Sequence, residues 1–480
     1  MQVSLMHNAL LVLTFLAQVG REHAPKAQRP LKVVTLIDRS RSLPPEFSTD
    51  LLLRSAGSPL IPDPGWKEEL IEEAFQSAQN AQFPAPRVGS RATDSRFGAS
   101  GLGSSVRLDR LTLQVRATEV MLTVHSTRGR DLFESIRLPQ FAFVPCTSLV
   151  TERTGGYYEL IPRIFASGFT AEQRKKGTDL RMVEQAIRAM HADVQIEPIA
   201  AMIERFQVPQ TTVQDWLNAF ASTLPFVQGS DRTFTVNVWI GLTGLLRFSQ
   251  KAGLERAPLL AATRSYIVSR LHAPQCEDMA DKTGLTPWIE SLNGVLTSAI
   301  AQGYGDLRPL EEEDLKRGPN AGTFTDPQWW QSPQSKAILD ALRWLNHGNR
   351  DLPDSQRFWT TAERNTQEWN DRYLDLRKLL ADWKPAANET AEDLYHMKAV
   401  TYDRLARLVP PGSRQRNAIQ ELLAFLDQSY SQIANHAEWF SHVQPVIDGK
   451  ENLLVLEEAV NSKNPVISLY ATLQTMSAGR

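Results

Sequence analysis

The stretch Asp63-Pro64-Gly65-Trp66-Lys67-Glu68-Glu69-Leu70-Ile71-Glu72-Glu73-Ala74-Phe75-Gln76-Ser77-Ala78 decides the fold. Its apolar residues, Trp66, Leu70, Ile71, Ala74, Phe75 and Ala78, recur every three or four positions with Lys, Glu and Gln between them. That spacing draws a single apolar stripe along a helix. Pro64 stands at the opening, where a missing N–H has no helical partner to lose. Just upstream, Pro45 to Ala56 places Phe47, Leu51, Leu52 and Ala56 at the same spacing and stops at Gly57. Two helices joined by so short a Gly/Pro turn make a helical hairpin.

The same pattern runs to the C-terminus. Helices are expected over Leu180 to Met190 and Pro198 to Phe206, then from a Thr211 or Thr212 cap through Val213, Trp216, Leu217, Phe220 and Leu224. Phe234 to Phe248 is very apolar but only about fifteen residues long, too short to span a bilayer and suited to a central buried helix. Leu259 to Leu271 follows, and Thr286-Pro287 opens a helix carrying Ile289, Leu292, Leu296 and Ile300. Further on lie Ile338 to Leu345, Asp354 to Trp383, Glu392 to Val409, Gln415 to His442, and two short helices near Leu454 and Ile467. Thr390 with Asp393 forms a capping-box signature. Pro410-Pro411-Gly412 turns the chain tightly enough to make the flanking helices antiparallel. Val106 to Thr127 fits a strand by its alternation and a helix by its Leu108, Leu111, Val115, Leu122 face. Its uninterrupted length favours a helix, with Arg130 to Ile136 as a short partner.

These elements predict an all-α protein, an irregular α-solenoid of helical hairpins with a C-terminal helical bundle. The expected organisation is a leader and linker over 1–30, an N-terminal helical-repeat region over 31–172, a central helical region over 173–305, a Gly/Pro/acidic linker over 306–335, and the bundle over 336–480. Phe83 to Ser105 is polar and Gly-rich and reads as a long loop.

The 480 residues carry a formal net charge of -2 with no long run of one sign, which argues against a nucleic-acid partner. Ala9 to Val19 is an apolar run of signal-peptide length, followed by Arg21, Pro25, Lys26, Arg29 and Pro30. A periplasmic or secreted protein is expected, without a stable membrane span in the mature chain; a cytoplasmic one is the alternative. Cys146 and Cys276 are neither a disulfide framework nor a metal site. In an exported chain they are able to pair; two separate buried thiols are the simpler expectation.

The paired stretches Ser48-Thr49-Asp50-Leu51-Leu52-Leu53-Arg54-Ser55-Ala56 and Trp66 to Phe75 resemble exported bacterial proteins of degenerate, tetratricopeptide-like helical-repeat type. Leu394-Tyr395-His396-Met397-Lys398-Ala399-Val400, running on to Leu408-Val409-Pro410, is similar to the C-terminal helices of such proteins. The resemblance covers about half the chain and implies a helical array without implying an activity.

Chemical motifs are few. Asp38-Arg39-Ser40-Arg41-Ser42 has the D-x-S-x-S form of the cation-binding loop in von Willebrand A-type domains, but no series of strands follows to complete it. Leu31, Val34 and Ile37 instead form a helical stripe. Gly98-Ala99-Ser100-Gly101-Leu102-Gly103 lacks the strand, the helix and the Lys-Ser or Lys-Thr of a phosphate loop. Glu392 and His396 share a helix face, with His436, Glu438 and His442 on the next predicted helix. In a continuous antiparallel pair His436 would sit roughly 12 Å beyond His396 along the axis. Glu392, His396, His436 and His442 are therefore weak catalytic candidates. Trp329-Trp330, beside Asp326-Pro327, supplies the candidate binding anchor. No motif implies a cofactor or a metal. The leading expectation is a non-enzymatic scaffold or protein/peptide-interaction protein of the bacterial periplasm or envelope. The alternative is a helical metal-dependent hydrolase with its site in the C-terminal bundle.

Overall fold

Twenty α-helices and no strand are found among the described residues, so the protein is all-α. The computed structural model describes residues 29–83, 106–139, 141, 144–146, 154–277, 285–304, 307–323, 330–347, 359–360, 363–387, 389–449 and 453–479. The expected leader up to residue 28, the loop from 84 to 105 with its Gly-rich run, and Trp329 lie outside the described residues.

The first six helices are α1 (Leu31–Ser40), α2 (Pro45–Gly57), α3 (Pro64–Ala78), α4 (Arg110–Val124), α5 (Ser126–Ser135) and α6 (Gly155–Ser167). The deciding stretch is α3, and it buries Trp66, Leu70, Ile71, Ala74, Phe75 and Ala78 as its spacing requires. The Asp63 side chain caps it by accepting from the Gly65 N–H at 3.0 Å. The ambiguous stretch is α4. It packs on α2, α3, α5 and α6, and it buries Leu111, Leu113, Gln114, Val115, Ala117, Thr118 and Met121. A helix covered on nearly every side has no single stripe, which is why its pattern also passed for a strand. Asp38 and Ser40 of the D-x-S-x-S run lie within α1, and Asp38 pairs with Arg41 at 2.6 Å, so no strand-end cation loop forms there.

The middle of the chain contains α7 (Ala171–Lys175), α8 (Thr178–Arg188), α9 (Ile196–Arg205), α10 (Gln210–Thr223), α11 (Val236–Lys251), α12 (Ala257–His272) and α13 (Thr286–Ala301). Here helices two or three apart in sequence pack on each other: α8 on α10, α10 on α12 and α9 on α11, and beside them α6 on α9. The 307–323 stretch, expected as linker, is fastened to this region. Asp314 accepts from Arg264 at 2.5 Å, Asn293 exchanges hydrogen bonds with both backbone groups of Leu310, and Gln275 bridges to Asn320.

The last helices are α14 (Pro333–His347), α15 (Gln367–Ala381), α16 (Ala391–Leu408), α17 (Ser413–Ser429), α18 (His436–Asp448), α19 (Leu453–Ala459) and α20 (Pro465–Ala478). The Thr390–Asp393 capping box forms at the head of α16. The helix expected over Gln415 to His442 is two. The chain leaves α17 at Ser429, passes through a short 3₁₀ turn, and starts α18 under an Asn435 cap that accepts from the Glu438 N–H at 3.1 Å. The apolar pattern continues across the break because both pieces bury their stripes in one core, α18 packing on α16 and α17.

The first and last described helices meet. α20 packs on α1, α2 and α18. At that junction Asp50 of α2 is 1% exposed. Its Oδ2 accepts from Tyr470 Oη at 2.7 Å and from Arg54 Nε at 2.8 Å, and the Arg116 guanidinium lies 2.5 Å from Oδ1. Arg54 also reaches Asp448 at 2.7 Å. Burial alone would raise the Asp50 carboxyl, but Arg116, Arg54 and the Tyr470 hydroxyl outweigh it and hold the group below the ordinary aspartate value.

Candidate functional site

A cleft of about 390 Å³ opens where four segments converge: the approach to α4, the start of α6, the approach to α9, and the start of α11. Its floor is Asp193, which is 1% exposed. The Asp193 carboxylate is enclosed by donors. Tyr266 Oη donates to Oδ1 at 2.5 Å, Thr233 Oγ1 donates to Oδ2 at 2.8 Å, and Arg270 Nη2 stands 3.4 Å from Oδ2. Burial pushes the carboxyl above its ordinary value, against the pull of Arg270, Tyr266 and Thr233. Gly229 makes this possible, since a Cβ at that position would lie 1.8 Å from Asp193 Oδ2.

The walls follow from helix positioning. Tyr158 of α6 accepts from Gln195 Nε2 at 2.7 Å, and Gln195 Oε1 in turn accepts from the His191 and Ala192 N–H groups at 2.8 and 2.9 Å. These bonds fix the start of α6 against the approach to α9. Thr154 stands at the N-cap of α6, yet its hydroxyl donates to Val194 O at 2.9 Å instead of capping. Thr235 at the head of α11 makes no side-chain cap either. The Tyr157 and Val238 N–H groups turn back to Thr154 O and Thr235 O at 3.0 Å. The N–H groups of the first two residues of each helix have no intrahelical acceptor and carry the positive end of the helix dipole, so Gly155, Gly156 and Asn237 bring backbone donors to the cleft lining. Gly155 and Gly156 keep this wall bare. A Cβ at Gly155 would meet nothing within 4 Å.

Both signs of charge line the opening. Arg107 contributes a cation, Glu159 and Glu197 carboxylates. Burial raises the Glu197 carboxyl and Glu159 adds to the effect, while Arg205 opposes it. Asn237 and Thr112 add neutral polar groups, and Leu111, Val115, Pro198 and Val238 apolar surface. Burial pushes the Tyr157 hydroxyl, also on the wall, up to about 12. Beyond the rim, Val236 and Ile240 lie one turn apart on α11, each 45% exposed.

Cys146 and Cys276 are joined by a disulfide across 130 residues, with Cα atoms 5.3 Å apart. The loop that floors the cleft grips both cysteines. Asp231 Oδ2 accepts from the Cys276 N–H at 2.9 Å, and Arg232 Nη2 donates to Cys146 O.

The residues singled out from sequence lie elsewhere. His396 Nδ1 contacts Glu438 Oε1, a meeting permitted by the break before α18. His442 is 1% exposed and close enough to Asp403, Glu438, His396 and Arg407 to feel their charge. Burial nevertheless holds its imidazole below the ordinary histidine value. Glu392 Oε1 accepts from the Ala434 N–H at 3.0 Å, and His436 stacks on Tyr430 and bonds Tyr430 O at 3.1 Å. Both are therefore occupied in holding the α17–α18 turn. Among the described residues no three His, Cys, Asp or Glu side chains are arranged to hold a metal ion. Trp330 is 1% exposed, at φ 65, with its ring 5.8 Å from that of Trp383. Trp330 is thus an interior ring, and its neighbour Trp329 lies outside the described residues.

Sequence reasoning missed the cleft. Gly155-Gly156 and Pro162 are residue types that disfavour a helix interior, yet they lie in α6, and Asp193, Thr233 and Tyr266 are far apart in the chain. The nearest signal is Gly229-Ser230-Asp231-Arg232-Thr233, a polar run just before α11. No protein-family model, no curated protein and no solved structure matches the chain.

Proposed function

We propose that the protein is a non-enzymatic interaction protein of the bacterial periplasm or envelope that takes an extended peptide segment of a partner protein into the cleft between α6, α9 and α11. The observation that carries this reading is the lining of that cleft. Bare helix starts supply N–H donors for peptide carbonyls, and Thr112, Asn237 and Glu197 supply further polar contacts. Leu111, Val115 and Val238 receive apolar side chains. Its volume suits a few residues, and exposed Val236 and Ile240 continue the apolar surface past the rim. The stacking of helices two or three apart from α6 to α12 supports an irregular solenoid, an architecture whose faces suit protein ligands. The Cys146–Cys276 disulfide supports an oxidising compartment, since such bonds are rare where thiols are kept reduced.

The test is selection of a displayed peptide library on the full-length protein, with Gly155→Trp as counter-target. A Cβ there meets nothing within 4 Å, so an indole at this position on the cleft wall is expected to take up space in the cleft. Enriched peptides are expected to bind the variant at least about tenfold more weakly, because the walls and the indole compete for one volume. Peptides that bind both proteins equally, or no enrichment, would reject the cleft as the binding surface.

A further inference from the structure

Consecutive residues of one loop connect the disulfide to the cleft. Asp231 receives the Cys276 N–H, Arg232 donates to Cys146 O, and Thr233 donates to Asp193. The loop is closed on itself by the Ser230 N–H donating to Thr233 Oγ1 at 2.8 Å and the Phe234 N–H donating to Ser230 O at 3.0 Å. Its entry is pinned where the Asp193 N–H donates to Gln228 O at 3.0 Å. Asp231 and Arg232 are 3% and 6% exposed, so their hold on the two cysteine backbones is internal. Neither cysteine lies in a helix, one standing before α6 and one after α12, and their bond links those two grips covalently.

We propose that this bond is a clamp on the floor of the cleft, so that the cleft takes its ordered form only once Cys146 and Cys276 have been oxidised. Before oxidation no disulfide holds Cys146 O against Arg232, and the 228–235 loop then holds Asp193 and the head of α11 less firmly. Clamping requires thiol–disulfide exchange with a protein or small-molecule disulfide oxidant. One cysteine thiolate attacks the oxidant's disulfide and expels one of its sulfurs as thiolate. The second attacks the protein sulfur of the mixed disulfide, forming the Cys146–Cys276 bond and expelling the oxidant's other sulfur, and the oxidant leaves reduced, carrying the two electrons and the two protons. Both cysteines are buried in the folded protein, at 7% and 0% exposure, so the clamp resists reduction once it has closed. Competence for binding is thereby tied to arrival in an oxidising compartment.

The experiment is hydrogen–deuterium exchange on the full-length chain, comparing the oxidised protein with Cys146→Ser/Cys276→Ser. Peptides covering 228–240 and 154–158 are expected to exchange about tenfold faster or more in the variant, while 45–78 keeps its protection, as for a locally opened unit. Unchanged exchange over 228–240 overturns the proposal. Equal loss over 45–78 overturns it too, since the bond would then be a general staple. Should the double variant not fold, Arg232→Gln in the oxidised protein releases the Cys146 grip alone. It is expected to speed exchange over the same segment several-fold, and no change there refutes the clamp. The readout uses no ligand, so it stands or falls separately from the peptide-binding function.

Discussion

Replacing Asp50 by alanine should release the C-terminal helix before the rest of the molecule. The carboxylate serves Arg54, Arg116 and Tyr470 together, and it joins α2 and α4 to α20. Removing one partner of a buried ion pair costs about 3–5 kcal/mol. Here the Arg54 and Arg116 side chains remain 25% and 29% exposed, and Arg54 keeps Asp448. Both cations therefore regain some hydration, and the lower figure, about 3 kcal/mol, applies. Tyr470→Phe deletes a single bond to a charged acceptor and should cost about 1.5 kcal/mol. In the double variant the two losses overlap by about 1 kcal/mol, because the hydroxyl has no carboxylate left to meet. A chain of this length need not unfold in one step, so the measurement is local, hydrogen exchange over 465–478 with urea unfolding beside it. At tenfold per 1.4 kcal/mol, Asp50→Ala should speed exchange there by about two orders of magnitude and Tyr470→Phe by about one. The pH dependence has a definite sign. The folded carboxyl lies below the ordinary value, so its contribution is present above the unfolded aspartate value, near 3.8, and is lost as pH falls through the lower folded value. Asp50→Ala should lack that component of acid destabilisation. Exchange over 465–478 within about threefold of wild type, under 1 kcal/mol, would refute the reasoning.

Trp330→Ala empties an interior site beside Trp383, so it should lower stability by about 3–5 kcal/mol in thermal or urea unfolding; a merely surface-borne indole would change it by less than about 0.5. Cys146→Ser/Cys276→Ser removes a closure of 130 residues, for which chain entropy sets a ceiling of about 5 kcal/mol on the loss seen by denaturant titration. Gly229→Ala drives a methyl into the Asp193 carboxylate and should cost about 1–3 kcal/mol, whereas Gly155→Trp should leave the melting temperature within a few degrees of wild type.

The helices were readable because each surface helix must bury one stripe, as α3 does with Trp66, Leu70 and Phe75. Reading failed where burial was not one-sided. α4 is covered nearly all round, so its hydrophobic period was obscured. It failed also between α17 and α18, where one core accepts two stripes and hides the turn at 430–435. Glu392 and His396 share a helix face in the sequence, with His436 and His442 beyond them, but two of these four candidates, Glu392 and His436, bond backbone groups at that turn. The cleft left no local pattern. Its floor joins Asp193 to Thr233 and Tyr266, 40 and 73 residues away, and its walls are backbone at the starts of helices, which any small residue can supply. The disulfide likewise depended on which segments the fold brings together, something that two cysteines 130 positions apart do not encode by spacing.

The central claim, that a partner peptide enters the cleft at the head of α6, is tested most directly by photo-crosslinking in the native host. A benzophenone amino acid is placed at position 155, where a side chain projects into open space. A second is placed at position 294, an exposed site on α13 outside the cleft. Discrete adducts from position 155 that are absent from position 294, and that map to an extended segment of another protein, are the expected result. No adduct at position 155, or the same adducts from both positions, would contradict the claim.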